Sequence, residues 1–206
     1  MDILLEIDNV LNKRECNALI EAHRPGLHRA EVVDDDVKDK TNVDTHRTNS
    51  EAWYVYDRDN EELAYLTDKI ESAISALTDL PIENQEDLII LHYETGQRYD
   101  IHYDWFVRGT EYWKGQQESG GQRMFSVLIY LNDVEEGGET HYPVLKKKVK
   151  PELGKLICHI NHLDGEDLKE SLHGAMPVLK GEKWALVCWI RERKWKAQSH
   201  LSKVKT

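Results

Sequence analysis

The chain has 206 residues, with 27 lysines and arginines against 38 aspartates and glutamates and a formal net charge of -11. That length suits one domain with a sizeable core and is short for two. The acidic balance argues against general affinity for nucleic acid or anionic membranes, whose binding is driven by positive charge.

The first residues, Met1 to Asp8, have neither the basic region nor the apolar stretch of a signal peptide. No uncharged apolar run approaches the ~20 residues that cross a bilayer. Cys16, Cys158 and Cys188 are odd in number, widely spaced and flanked by apolar residues. They read as small buried hydrophobes in a reducing compartment, so a soluble cytoplasmic protein is expected.

A first helix is predicted from about Val10 to His23, with Asn12 and Glu15 spaced as a capping box and Pro25-Gly26 as its stop. Val32 to Ser50 is dense in Asp, Lys, Thr and Asn and predicts an exposed loop. A second helix follows Asp59-Asn60-Glu61-Glu62, where Leu63, Leu66, Ile70, Ala73, Ile74 and Leu77 recur at steps of three and four until Pro81. Both helices read as scaffold.

From residue 88 the pattern changes to short strands: Leu88 to Tyr93, Met124 to Leu131, Lys155 to Ile160 and Trp184 to Ile190, with a turn at Glu135 to Gly138. Val107 to Ser119 reads as a long polar loop and a candidate substrate lid. The lysines at 146–148 and 150, and those of the C-terminal tail, read as solvated. Helices followed by antiparallel strands point to an α+β, mainly β fold: a β-barrel or jelly roll braced by N-terminal helices. The chain is expected to form one domain, with helical support over about residues 1–80 and the β core over about 85–195.

Within the β region stands His102-Tyr103-Asp104, and 71 residues after His102 comes His173. Residues i and i+2 of a strand share a face, so His102 and Asp104 can turn towards one metal. A histidine from a distant strand would complete a two-histidine, one-carboxylate facial triad, which leaves open positions on a non-haem iron(II).

Three blocks carry a resemblance. Leu91 to Asp104, with His102 and Asp104 at its end, is similar to the first metal-ligand motif of the prolyl 4-hydroxylase family. Gly120-Gly121-Gln122-Arg123 through Val127 to Thr140 resembles that family's central strand pair and its Gly-Gly-Glu-Thr turn. Ser171 to Trp184 resembles its second ligand motif and the lysine that follows. The blocks occur in order over about residues 90 to 190, and Arg47 to Ser50 with Trp53 resembles the family's N-terminal part more loosely.

The resemblance implies a double-stranded β-helix (jelly-roll) core, with iron(II) held by His102, Asp104 and His173. It also implies 2-oxoglutarate and O2 as co-substrates, with ascorbate as a candidate accessory. Lys183 would pair with the distal carboxylate of 2-oxoglutarate; Tyr93 and Thr140 would lie beside it, and Tyr99 would serve packing. Arg47, Trp53, Tyr103 and Trp105 are candidates for a substrate cleft that takes a proline-containing peptide or protein. His159 departs from the pattern, standing where a large apolar or aromatic residue is usual. With His162 it reads as a solvent-facing pair, lining beside the metal pocket being the alternative. The same chemistry on a free amino acid or small metabolite is a second reading. A non-catalytic metal-binding jelly-roll module is a third, and a nucleic-acid demethylase is disfavoured by charge. The oligomeric state is not legible.

Overall fold

The computed structural model describes residues 2–33, 41–42, 44–54 and 56–195. Helix α1, Lys13–His23, starts where its cap dictates. Asn12 Oδ1 accepts from the Glu15 amide at 3.1 Å, and the Glu15 carboxylate accepts from the Asn12 amide at 2.8 Å. It begins after Val10 and Leu11 because their amides instead donate to the Gly154 carbonyl. Helix α2, Glu61–Thr78, is capped by Asn60 and ends at Asp79, whose φ of 55° breaks the helical path.

The segment from Val107 to Ser119 is not a long loop. Thr110 accepts from the Trp113 amide at 3.1 Å and opens a third helix, α3, Glu111–Ser119. Trp113 is buried there, its ring 6.4 Å from that of Phe106.

The strands of the two main sheets are β1 (Leu4–Ile7), β2 (His28–Arg29), β3 (Ser50–Trp53), β4 (Ile89–Tyr93), β5 (Tyr99–His102) and β6 (Arg123–Tyr130). They continue as β7 (Thr140–Tyr142), β8 (Lys147–Val149), β9 (Leu156–Ile160), β10 (His173–Ala175) and β11 (Lys183–Arg191). The larger sheet has seven strands in the order β1-β9-β6-β11-β4-β3-β2, and the smaller has four in the order β8-β7-β10-β5. Every pairing in both is antiparallel.

Successive side chains of a strand point to opposite faces, and here both faces of the larger sheet are covered. Ile90, Val127, Ile129, Leu186 and Cys188 pack with Leu19, Leu66, Ile70 and Ile74 of α1 and α2. On the inner face Leu91, Tyr93 and Val187 meet Val134 and Val178, while Tyr130, Ile157 and Ala185 meet Tyr142 and Val149 of the smaller sheet. Burial on two faces explains why these strands read as nearly continuous apolar runs. The helices brace one side of a jelly roll and leave the gap between the sheets to chemistry.

Of the expected loop at 32–50, residues 34–40 and 43 lie outside the described residues, and Val32–Val33 pairs with Thr41–Asn42. Its last part is not exposed: Arg47 and Asn49 are buried, and the Thr48 amide donates to the Arg98 carbonyl at 2.8 Å. This polar segment can be buried because each nitrogen of the Arg47 guanidinium has an acceptor: Asn49 Oδ1, the Glu31 carbonyl and the Glu51 carboxylate. Lys147 and Lys148 are exposed, as expected, but on an edge strand rather than a loop, with Val149 turned inward. The tail lysines fall outside the described residues. All three cysteines are buried and free. Among the described residues no helix is long and apolar enough to cross a membrane.

Candidate active site

His102 ends β5 and His173 opens β10, and the two are direct cross-strand partners. Asp104 lies beyond the end of β5, in the bend that follows. Its carboxylate therefore reaches the histidines through a turn, not through the shared strand face that the sequence suggested.

Each histidine is oriented by its own backbone. His102 Nδ1 lies 2.7 Å from the Asp100 carbonyl and His173 Nδ1 lies 2.8 Å from the Ser171 carbonyl. A carbonyl can only accept, so both Nδ1 atoms carry a proton and both Nε2 atoms are turned to the site. Those atoms face one carboxylate, His102 Nε2 at 3.5 Å from Asp104 Oδ1 and His173 Nε2 at 3.7 Å from Asp104 Oδ2. Among the described residues this is the group of histidine, cysteine and acidic side chains placed to share a metal ion.

The protonation states suit metal binding. Burial pushes His173 down to about 3, against the opposing pull of Asp104, so the ring is neutral near physiological pH. Burial works to raise the Asp104 carboxyl, but His173 and His102 beside it hold it well below the ordinary carboxylate range. The site thus offers two imidazoles and one carboxylate, the donor set of non-haem iron(II) oxygenases.

Asp104 is itself held. Ser126 Oγ donates to Asp104 Oδ2 at 2.6 Å, and Asn161 Nδ2 donates to Ser126 Oγ at 2.8 Å. Arg123 reaches the Asp104 carbonyl at 3.5 Å and makes a two-pronged pair with Glu86 at 2.7 and 2.8 Å. The buried Arg191 joins the same carboxylate at 2.9 Å and also grips Gln116 of α3. Tyr99 stacks on the His102 ring with centroids 3.7 Å apart, which is the packing role expected of it. His159 is not solvent-facing: it is buried on the inner face of β9, its Nε2 3.7 Å from Asp104 Oδ2. Burial lowers its pKa to about 4, so it too is neutral.

A cavity of about 60 Å³ is lined by His102, Asp104 and His173 and also by Tyr93, Thr140 and Lys183. Lys183 opens β11 opposite Tyr93, is 1% exposed and donates to the Gly138 carbonyl at 2.8 Å. Among the described residues no carboxylate lies within ion-pair distance of its Nζ. Burial lowers the ammonium from 10.5 to about 7, with Glu139 opposing. A buried cation without a counter-ion is costly, and an anion is what such a place favours. The Thr140 hydroxyl is paired with the Tyr130 hydroxyl at 2.7 Å, and burial raises the Tyr93 phenol. Metal donors and an unpaired lysine on one small cavity fit an iron(II) chelated by a short dicarboxylate.

Beside it opens a cleft of about 600 Å³ that reaches His102 and Asp104 and is lined by Arg47, Trp53, Tyr103 and Trp105, among others. The Tyr103 and Trp105 rings lie 4.5 Å apart, and Trp53 stands 62% exposed. The four expected cleft residues are thus brought together, although the Arg47 guanidinium is turned to its own neighbours. Phe106, Tyr112, Trp189 and Trp195 also line this cleft and went unnoticed in the sequence, where nothing but their aromatic character marks them; Arg123, quoted in the second block, lines it too.

A jelly roll carrying two histidines and one carboxylate beside a buried lysine defines a non-haem iron(II), 2-oxoglutarate-dependent oxygenase. Comparison with known proteins agrees, since residues 88–191 match the family model described as the 2OG-Fe(II) oxygenase superfamily. Probable prolyl 4-hydroxylase 10 of Arabidopsis thaliana is 36% identical over 91% of this chain and 68% of its own length. Probable prolyl 4-hydroxylase 6 of the same plant is 37% identical over 89% and 67%. Among solved structures, the viral collagen prolyl hydroxylase of Paramecium Bursaria Chlorella virus-1, in its 2OG complex, is similar with a TM-score of 0.69 and 28% identity. That match covers 92% of this chain and 96% of the other. The chain belongs to the 2OG-Fe(II) oxygenase superfamily, and it is a 2-oxoglutarate-dependent dioxygenase that works with iron(II) and O2.

Proposed function

We propose that the enzyme hydroxylates a prolyl residue within a peptide or protein, with His102, Asp104 and His173 holding the iron and Lys183 pairing with 2-oxoglutarate. The observation that carries the substrate is the cleft of about 600 Å³ beside the metal donors, with Trp53 and Val107 62% and 46% exposed on its lining. A free amino acid would call for a closed pocket; an extended chain calls for an open, aromatic-walled groove. The relatives named prolyl 4-hydroxylases support the same reading.

When bound, iron(II) with 2-oxoglutarate and O2 supplies the oxidising power that places one oxygen atom in a C–H bond as the keto acid becomes succinate and CO2. The chain does the rest. Lys183 would pair with the far carboxylate of 2-oxoglutarate and so orient it in the inner cavity. The apolar walls formed by Leu91, Leu128, Ala185 and Val187 keep water from the inner cavity. Tyr103 and Trp105 offer flat faces to a polyproline II segment, whose fixed backbone loses little entropy on docking. A cytoplasmic setting without nucleic-acid partners belongs to the same proposal, supported by the buried free thiols and the acidic charge.

The test is to load the protein anaerobically with iron(II), then add 2-oxoglutarate, ascorbate, O2 and a pool of proline-containing peptides. Mass spectrometry follows succinate and the gain of one oxygen, with His173→Ala as control. Oxygenated proline absent from the control establishes the reading. Succinate without peptide oxidation turns the search to small metabolites, and failure to bind iron ends it.

A further inference from the structure

The inner-face positions of β6 and β9 nearest the metal donors are polar where the rest of that face is apolar. Ser126 and His159 are direct cross-strand partners, and Asn161 shares the face of His159. All three are buried, and two of them already act on Asp104: Ser126 directly and Asn161 through Ser126.

His159 is the member without an assigned task. Its Nδ1 lies 3.0 Å from the Tyr142 hydroxyl, and its ring centroid is 4.5 Å from that of His173. Among the described residues its Nε2 is buried without a close hydrogen bond and stands 3.7 Å from Asp104 Oδ2, and the Asn161 side chain, whose Oδ1 also lacks a close partner, is a second hydrogen-bonding group beside the ring. The Tyr142 hydroxyl is placed to donate to Nδ1; in that arrangement the ring proton resides on Nε2, the atom that faces the carboxylate. A histidine retained only to fill space would be expected to satisfy both nitrogens or to give way to an apolar ring, because a buried N–H without an acceptor is costly.

We propose that His159 is a positioning residue for the metal site: together with Ser126 it holds Asp104 Oδ2, so that Oδ1 remains as the single oxygen offered to iron. The proposal rests on the assignment of His102, Asp104 and His173 as ligands. It makes His159 part of the metal's outer support and predicts that the Tyr142 hydroxyl, by fixing the tautomer, acts at one further remove.

The experiment is an anaerobic calorimetric titration with iron(II) alone, beside the visible spectrum of the Co(II)-loaded protein, on wild type, His159→Phe, His159→Gln and Tyr142→Phe. His159→Phe is expected to fold with undiminished thermal stability yet bind iron(II) about 10- to 100-fold more weakly, with an altered Co(II) spectrum as the carboxylate changes its mode. His159→Gln, which keeps an N–H donor, is expected to recover most of the affinity. Tyr142→Phe is expected to lose on the order of 5-fold. Wild-type affinity and an unchanged Co(II) spectrum in His159→Phe would overturn the proposal. Should that variant fail to fold, wild-type affinity in Tyr142→Phe together with loss of affinity in His159→Gln would overturn it equally. Failure of the wild type itself to bind iron(II) would instead refute the ligand assignment.

Discussion

Lys183 is expected to destabilise the protein whenever 2-oxoglutarate is absent. Its ammonium is brought from 10.5 down to about 7 by burial, whereas in the unfolded chain it keeps its ordinary value. Between those values the unfolded state holds more protons, so the stability of the native state rises with pH across this window. At ~1.36 kcal/mol for each pKa unit, the penalty is about 4 kcal/mol near pH 7 and about 2 kcal/mol near pH 9. Lys183→Met removes the charge and keeps the length. It forfeits the bond to the Gly138 carbonyl, worth ~1 kcal/mol. The variant should therefore be about 3 kcal/mol more stable than wild type near pH 7 and about 1 kcal/mol more stable near pH 9. With roughly 2–4 °C per kcal/mol for a chain of this size, the gap in Tm near neutral pH should exceed about 6 °C. Thermal and urea unfolding of both proteins, freed of iron and 2-oxoglutarate, at several pH values would measure it. A variant no more stable than wild type, or a gap that does not shrink as pH rises, would refute the reasoning.

Iron(II) at about 100 times its Kd should stabilise the wild type by ~2.7 kcal/mol, and His173→Ala should abolish that shift in anaerobic calorimetry. Tyr103→Ala and Trp105→Ala should each raise the KM for a peptide substrate about tenfold, the worth of one lost aromatic contact. Both should leave iron and 2-oxoglutarate affinity unchanged in direct titration. Gly154→Ala should cost at least about 2 kcal/mol in denaturant unfolding: Gly154 has φ of 75°, and a Cβ there would meet the Leu11 carbonyl oxygen at 1.9 Å.

Much of this molecule was legible in its residues. The capping box at Asn12 and Glu15 marked α1, and the three-and-four spacing of Leu66, Ile70 and Ile74 marked α2, because each records a local rule of helix geometry. The candidate metal donors, which the fold brings together, were legible because few residue types can serve and their strand context was clear. Asp104 does meet the two histidines, but by a route other than the shared strand face, since the end of β5 depends on how the chain turns after His102. The alternation on β9 could have corrected the reading of His159: Leu156 and Cys158 pack on the helix side, which leaves His159 on the face of the buried Ile157. Thr110 before Glu111 was a cap signal for α3, masked by Lys114 and Gly115 in so polar a segment. The pairing of Glu86 with Arg123 was out of reach, because ionic partners 37 residues apart leave no local trace.

The Glu86 carboxylate gives the cleft and the iron site a common hinge pin. One of its arginines touches the Asp104 carbonyl, and the other clasps Gln116 on the helix that walls the cleft. The wall of the cleft and the backbone of Asp104 are therefore tied to one buried carboxylate. Groove wall and candidate iron ligand share that anchor, so a substitution made to admit a bulkier peptide at Gln116 is expected to change iron(II) affinity as well.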